Sequence, residues 1–127
     1  FELNTRSIVN TASVVVPAML QQNSGKIINV AARAATTGYA LMGAYTASKA
    51  AVMRLTESMA AELRAQNINV NCIMPGTVDT PRNREDMPDA DHATWVPTSQ
   101  LASVIGFLAS DEAVAVNGAA IPVDGLS

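Results

Sequence analysis

The feature that most constrains the fold of this chain is a set of short apolar runs that alternate with helical sequence. Lys26–Ala31 and Ile68–Met74 are two such runs, and Ala119–Val123 is a third whose proline suits a sheet edge. Runs of this length without strict polar alternation indicate strands buried on both faces. Because helical segments separate them, the pattern predicts an α/β fold with a parallel sheet and right-handed crossovers.

Three segments have the apolar spacing of helices. The first covers about 20 residues from Asn4, and Pro17 inside it predicts a bend or a shortened first half. The second, from Ala44 to Gln66, is rich in good helix formers and ends at Asn67. The third runs from Thr98 to Ser110, with Thr98 as its expected N-cap. The order of elements is therefore α-β-α-β-α-β.

The chain is expected to be a partial domain. Its 127 residues suit one domain, and 49% hydrophobic residues are enough to bury a core. Three strands, however, are few for a parallel sheet, which needs both faces covered and its edges paired. We therefore expect residues 1–127 to be one part of a larger sheet. Thr77–Pro97 is expected to be a polar connection.

Composition excludes several classes of function. The net charge of -3 argues against a nucleic-acid-binding surface, which needs a basic face. The longest apolar stretch, Val14–Leu20, is about a third of a bilayer span, so no membrane segment is expected. With one cysteine we expect no disulfide framework and a cytoplasmic setting. His92 lies near Asp89 and Asp91, but a solvated loop is favoured there and no metal site is expected.

Tyr45 and Lys49 are the first candidates for chemistry. They lie four residues apart at the start of the long helix, so both project from one face. An ordinary phenol has a pKa near ~10, which a nearby ammonium and a helix N-terminus both lower. Such a pair suits a general acid/base acting on a carbonyl or hydroxyl. The alternative, a half-buried aromatic beside a solvated lysine, is the commoner meaning of a bare Y-x-x-x-K pattern.

The second candidate is the Pro75–Gly76 turn that ends the second strand. Ligands of open α/β sheets bind outside the carboxyl ends of the strands. Glycine at such a turn would let the backbone approach a flat ligand closely. An ordinary strand-ending turn is the alternative.

Three ordered motifs together resemble the short-chain dehydrogenase/reductase family. They are the Tyr45–Lys49 pair within Ala44–Val52, the P-G-x-x-x-T turn from Pro75 to Thr80, and the closing segment Gly118–Gly125. The resemblance covers essentially the whole chain, but only the C-terminal half of such an enzyme. It implies the C-terminal half of a Rossmann-type parallel sheet, with about three strands and three helices.

The resemblance also implies roles for individual residues. Tyr45 would be the catalytic acid/base, and Lys49 would lower its pKa and hold the nicotinamide ribose. Asn4 would be the active-site asparagine that supports the lysine through a water, although a helix N-cap is the alternative. The cofactor would be NAD or NADP. The residues implied to bind it are Tyr45, Lys49, Pro75, Gly76, Val78 and Thr80.

Two departures from the family pattern bear on activity. The family's catalytic serine position, thirteen residues before the tyrosine, is Ala32 here, and nothing indicates that Thr36 or Thr37 reaches the site. Losing one such donor typically costs on the order of 100- to 1,000-fold in turnover. The chain also has no glycine-rich strand-turn-helix to bind a pyrophosphate. We expect the 127-residue chain alone to be inactive and to gain no thermal stability from NAD(H) or NADP(H).

Two hypotheses of function follow. The leading one is an NAD(P)-dependent oxidoreductase acting on a small-molecule carbonyl or alcohol, with Met87 and Trp95 as apolar contacts of a lid. The other is a non-catalytic structural or self-association module, because an uncovered strand edge and apolar helix faces favour partners. Under either hypothesis we expect a homo-oligomer.

Overall fold

A parallel sheet forms the centre of the molecule in the computed structural model, which describes residues 2 to 127. Its strands are β1 (Gly25–Val30), β2 (Ile68–Pro75) and β5 (Ala120–Val123), in the order β1-β2-β5. Both pairings are parallel, which confirms the fold class expected from the apolar runs. Pro122 lies in an outer strand, as expected from its missing N–H.

The register brings the carboxyl ends of the strands together. Val30, at the end of β1, is opposite Ile73, and Pro75, at the end of β2, is opposite Val123. The segments that leave β1 and β2 therefore emerge side by side at one edge of the sheet, where ligands of open α/β sheets bind.

The described residues, 2 to 127, form four α-helices, three of them close to the expected positions. The long second helix ends in a short 3₁₀ turn, Arg64–Gln66, and Asn67 stops it with φ at 61°. Within residues 2 to 127, no helix is both long and apolar enough to cross a bilayer. The helices are α1 (Ser7–Gln22), α2 (Gly43–Leu63), α3 (Pro81–Asp86) and α4 (Thr98–Leu108).

The first helix was expected to begin near Asn4 and to bend or shorten at Pro17. It is one α-helix over Ser7–Gln22 that continues through Pro17, and a bend there stays a prediction. A proline removes one hydrogen bond from the ladder, and here Val16 and Met19 on either side pack against the core and keep the helix intact. Asn4 lies before α1, in a π-helical turn over Glu2–Arg6.

The expected polar connection is a folded segment. Two-residue strands β3 (Val78–Asp79) and β4 (Val96–Pro97) pair in parallel, and α3 lies between them. The expected cap at Thr98 was also wrong, because Pro97 occupies the N-cap position without a side-chain bond. Pro97 has φ at -62°, and its pairing in β4 makes the helix begin directly afterwards.

The central strand β2 is buried on both faces. Ile68, Val70 and Cys72 face α2, where they pack with residues such as Val52 and Ala60. Ile73 packs against α4 and β4 on the other face. This two-sided packing holds the carboxyl end of β2, and the turn after it, in a fixed position relative to α2.

Candidate functional site

An open cleft of about 650 Å³ lies at the carboxyl ends of β1 and β2. The first turns of α2 form one wall, and the turn after β2 together with α3 forms another. It therefore joins the two motifs that the sequence offered as separate candidates. Its lining includes Ala32, Arg33, Tyr45, Lys49, Pro75 and Gly76.

Tyr45 lies in the first turn of α2, with 42% of the residue exposed. Its side chain lines the cleft, so the phenol is open to a ligand and is not enclosed in the core. Lys49 lies one helical turn further on and lines the same cleft, as the spacing of four residues requires.

The Lys49 ammonium is held against the end of β1. Its Nζ donates a hydrogen bond to the Val30 carbonyl oxygen at 3.1 Å. Partial burial lowers the pKa of Lys49, because desolvation disfavours the charged form. One N–H of the ammonium is therefore engaged by the sheet, and the others are available toward the cleft.

Asn4 contacts α2, the helix that carries Tyr45 and Lys49, through the side chain of Ser48. The Asn4 side-chain amide donates to the Ser48 Oγ at 3.0 Å, and Ser48 Oγ donates to the Tyr45 carbonyl oxygen at 2.8 Å. Asn4 lines a second cavity of about 320 Å³ between α1 and β1, and Lys49 and Val30 line both cavities. Asn4 thus lies behind the cleft, on the side of α1, and its support of Lys49 through a water stays a prediction.

The Pro75–Gly76 turn forms the opposite side of the cleft, and Val78 lines it as well. The Gly76 N–H donates to the Val123 carbonyl oxygen at 2.9 Å. A Cβ built on Gly76 would lie 3.3 Å from Ser127 Oγ and 3.5 Å from the Asp124 Cα. The C-terminal turn that packs against Gly76 therefore explains why a glycine is needed there. The interpretation from sequence had instead explained this glycine by the close approach of a ligand.

Thr80 is outside the residues that line the cleft. Its Oγ1 accepts a hydrogen bond from the Asn83 backbone N–H at 3.1 Å and so caps α3, whose first residue is Pro81. The carboxamide contact implied for Thr80 stays a prediction.

Ala32, at the position of the family's catalytic serine, is part of the cleft lining. Ala32 is 8% exposed and lines it, so a hydroxyl at this position would face the same space as Tyr45. Thr36 and Thr37 line a different, smaller cavity against α2. In addition, the Thr36 hydroxyl donates to the Arg33 carbonyl oxygen at 2.8 Å. Neither threonine therefore replaces the serine donor.

Sequence reasoning missed four polar or flexible side chains that line the cleft: Arg33, Met42, Thr77 and Asn83. Arg33 follows Ala32 directly at the end of β1, and its position after a parallel strand was the available signal. Its Nη1 forms an ion pair with Asp124 Oδ2. Asn83 belongs to α3 and donates to the Val78 carbonyl oxygen at 2.8 Å, which holds α3 beside the cleft.

Of the two apolar residues expected in the lid, Met87 lines the cleft and Trp95 does not. Trp95 is 7% exposed, and its ring contacts the His92 ring in a tilted arrangement, with the ring centroids 4.4 Å apart and the planes at 43°. The His92 Nε2 lies 2.8 Å from the Met87 carbonyl oxygen. The histidine and tryptophan therefore build the folded segment behind the cleft, and Met87 is its apolar contact.

The described side chains fit the nicotinamide end of a dinucleotide better than its pyrophosphate. The cleft offers a phenol, an ammonium with free N–H groups and a proline-glycine bend, which are groups that can bind ribose hydroxyls and pack on a flat ring. The glycine-rich loop that binds a pyrophosphate has no counterpart in the sequence.

The fold and this cleft define an α/β protein with a ligand site at the carboxyl edge of its sheet, and comparisons identify its family. Residues 1–91 match the family model for short chain dehydrogenase. The chain is 36% identical over 132 residues to 3-oxoacyl-[acyl-carrier-protein] reductase FabG of Thermotoga maritima, covering 97% of this chain and 53% of that protein. It is 35% identical over 133 residues to 2-(R)-hydroxypropyl-CoM dehydrogenase of Xanthobacter autotrophicus, with the same two coverages. This chain belongs to the short-chain dehydrogenase family.

Solved structures agree with this assignment. An NADP-bound structure from Agrobacterium tumefaciens superposes with a TM-score of 0.88 at 31% identity, covering 96% of this chain and 54% of that one. An NAD-bound 3-oxoacyl-[acyl-carrier protein] reductase from Brucella melitensis gives 0.83 at 30% identity, covering 96% and 48%. The chain spans about half the length of the curated relatives it matches.

Proposed function

We propose that this chain carries the catalytic cleft of an NAD(P)-dependent oxidoreductase that interconverts a small-molecule carbonyl and an alcohol. The observation that carries the proposal is that Tyr45, Lys49 and the Pro75–Gly76 bend line one open cleft at the carboxyl ends of β1 and β2. These residues come from separate parts of the sequence, and a general acid, a cation and a backbone bend in one place suit carbonyl reduction.

Tyr45 is the proton donor and acceptor in this proposal. During reduction its hydroxyl gives a proton to the oxygen of the substrate carbonyl, and during oxidation the phenolate takes that proton back. The Lys49 ammonium, fixed on the Val30 carbonyl oxygen at 3.1 Å, places a positive charge in the same cleft one helical turn away.

Asn4 acts through the backbone of α2. Its bond to Ser48 at 3.0 Å fixes the turn of helix between Tyr45 and Lys49, so the phenol and the ammonium keep a constant relative position. This is a positioning role, and it differs in route from the water-mediated support that the family resemblance implied.

NAD or NADP, when bound, supplies or accepts the hydride. Tyr45 and Lys49 would contact the nicotinamide ribose, and Pro75, Gly76 and Val78 would pack against the ring. The role of Thr80 is proposed more narrowly: its cap on α3 keeps the turn and Asn83 in place beside the ring. Relatives solved with NADP and with NAD support a cofactor of this type.

The test uses the protein expressed from its native gene at its natural length, assayed with NADH and NADPH against a panel of carbonyl compounds. Tyr45→Phe should lower kcat by about 100-fold or more, because it removes the transferable proton and little volume. Tyr39→Phe is the matched control, since Tyr39 is 52% exposed and lies outside the cleft lining. Equal rates for wild type and Tyr45→Phe would exclude the catalytic role.

We also propose that the protein self-associates. Helix α1 has no buried residue, and Val9 and Val14 are 50% and 74% exposed on it. Apolar side chains left exposed on the outer side of this helix favour a protein partner. Light scattering should give a mass above that of one chain, and a monomer at high concentration would contradict this part of the proposal.

A further inference from the structure

We infer that Arg33 selects substrates that carry an oxyanion, such as a carboxylate or a phosphate, next to the reacting carbonyl or alcohol. The inference rests on the proposed function, because it names the substrate class of the same cleft. It starts from the position of Arg33, which begins a 3₁₀ turn three residues after β1 ends at Val30 and lines the same cleft as Tyr45.

The charged side chains that line the described cleft are all positive. Arg33 and Lys49 are its two cations, and no carboxylate residue lines it. The two cations differ in placement. Lys49 is partly buried and bonded to the Val30 carbonyl oxygen, whereas the Arg33 side chain is 49% exposed. Arg33 is therefore the cation that an incoming substrate meets first.

Asp124 holds the Arg33 guanidinium without covering it. The pairing joins one nitrogen, Nη1, to one oxygen, Oδ2, so the remaining N–H groups of the fork are free for a ligand. Asp124 itself is fixed, because its carbonyl oxygen accepts a hydrogen bond from Ser127 Oγ at 2.7 Å and its backbone packs behind Gly76. The arginine is thus positioned before a ligand binds.

A positioned guanidinium with free parallel N–H groups favours planar or tetrahedral oxyanions, which accept two such bonds at once. Elsewhere the same cleft is lined by the apolar side chains of Met42 and Met87. The substrate class that fits is a compact keto acid, hydroxy acid or phosphorylated carbonyl compound, with its anionic group toward Arg33 and its reacting carbon toward Tyr45.

The test compares charged and neutral substrates of one skeleton, using the protein expressed from its native gene at its natural length. Acetoacetate is paired with methyl acetoacetate, and dihydroxyacetone phosphate with dihydroxyacetone. Wild type should prefer the anion of at least one pair, and which pair it prefers separates carboxylate from phosphate recognition. Arg33→Gln should lower kcat/KM for the preferred anion by about 10- to 100-fold more than for its neutral partner.

Arg54→Gln is the matched control, because Arg54 is 69% exposed and pairs with Glu57 away from the cleft. It should keep wild-type selectivity. Equal loss for charged and neutral substrates in Arg33→Gln, or no preference in wild type, would overturn the inference while leaving the proposed function intact. If no carbonyl compound is reduced, the proposed function fails. Calorimetric titration of wild type and Arg33→Gln with the same four compounds then tests the anion site. Anion binding that is lost in Arg33→Gln would support the inference, and binding that the variant keeps would overturn it.

Discussion

The Asn4 side chain is joined to Ser48 across 44 residues of sequence by a hydrogen bond of 3.0 Å. Ser48 is fully buried between the two residues proposed to act on substrate. Removing either partner should destabilise the fold, and the two losses should not add. In a double-mutant cycle of Asn4→Ala and Ser48→Ala, we expect a coupling of about 1 kcal/mol in the free energy of unfolding, measured with urea.

Ser13 provides the control for that cycle. Its hydroxyl bonds locally to the Asn10 carbonyl oxygen on the exposed face of α1. Ser13→Ala combined with Ser48→Ala should be additive within about 0.3–0.5 kcal/mol. An equally additive result for the Asn4 and Ser48 pair would show that their bond does not support α2.

Ala32→Ser should raise turnover. Ala32 is nearly buried but lines the cleft, so a hydroxyl there would be directed at the substrate carbonyl by the packed end of β1. One added donor in such a site is worth up to about 100- to 1,000-fold, and we expect at least a tenfold gain in kcat. Ala34→Ser, which adds a hydroxyl to the same cleft two residues later, should give no comparable gain. Equal kcat for wild type and Ala32→Ser would mean that the position plays no part in catalysis.

The elements that sequence reasoning predicted best are those with a long, uniform signal. Helix α2 begins and ends close to its expected limits because good helix formers fill it and Asn67 tolerates the left-handed conformation that stops it. Strand β2 was found because apolar residues predominate in it and a proline-glycine turn ends it, and it is buried on both faces. Its two buried asparagines, Asn69 and Asn71, donate their side-chain amides to the Val116 carbonyl oxygen.

The segment between β2 and α4 was missed for the opposite reason. Strands β3 and β4 have two residues each, too few for any periodicity, and they pair only because the chain brings Val78 beside Val96. The N-cap of α3 could have been predicted from the sequence, since Thr80 precedes a proline at the first helical position.

Within the candidate site, sequence reasoning found the residues that belong to local motifs. Tyr45 and Lys49 share a helix face, and Pro75 and Gly76 share a turn. The combination of these local patterns with the family resemblance, and not spacing alone, made them candidates. Contacts between residues that are far apart in the sequence could not be predicted. The pairing of Arg33 with Asp124 joins residues 91 apart, and it depends on how β1 and β5 flank β2.

Gly125→Ala should destabilise the fold. Gly125 has φ at 66°, and a Cβ there would lie 3.1 Å from the carbonyl oxygens of Thr94 and Trp95. Left-handed strain and this backbone contact together should cost about 1–3 kcal/mol in the free energy of unfolding. Gly106→Ala is the control, because Gly106 lies in α4 with nothing within 4 Å of an added Cβ. It should stabilise by about 0.5–1 kcal/mol. Equal effects at both glycines would contradict the close packing of the C-terminal turn.

Acid should weaken the contact between β3 and α3. Arg84 donates two hydrogen bonds to Asp79, at 2.6 and 2.9 Å, and these bonds hold the pKa of Asp79 below its ordinary value. A carboxylate with a lowered pKa in the folded state contributes stability that is fully present above its unfolded pKa of 3.8. That contribution is lost as the pH falls through the lower, folded-state pKa.

Urea unfolding from neutral pH down to acid therefore provides the measurement. The difference in stability between wild type and Asp79→Asn should be constant above the unfolded pKa and shrink below it, and Arg84→Gln should behave in the same way. Arg82→Gln removes an exposed cation from the same helix, one that pairs with Asp86 at 3.4 Å, and should keep the wild-type acid dependence. If wild type and Asp79→Asn lose stability in parallel across the whole range, the pair makes no pH-dependent contribution, and α3 is held beside the cleft by Asn83 and the Thr80 cap instead.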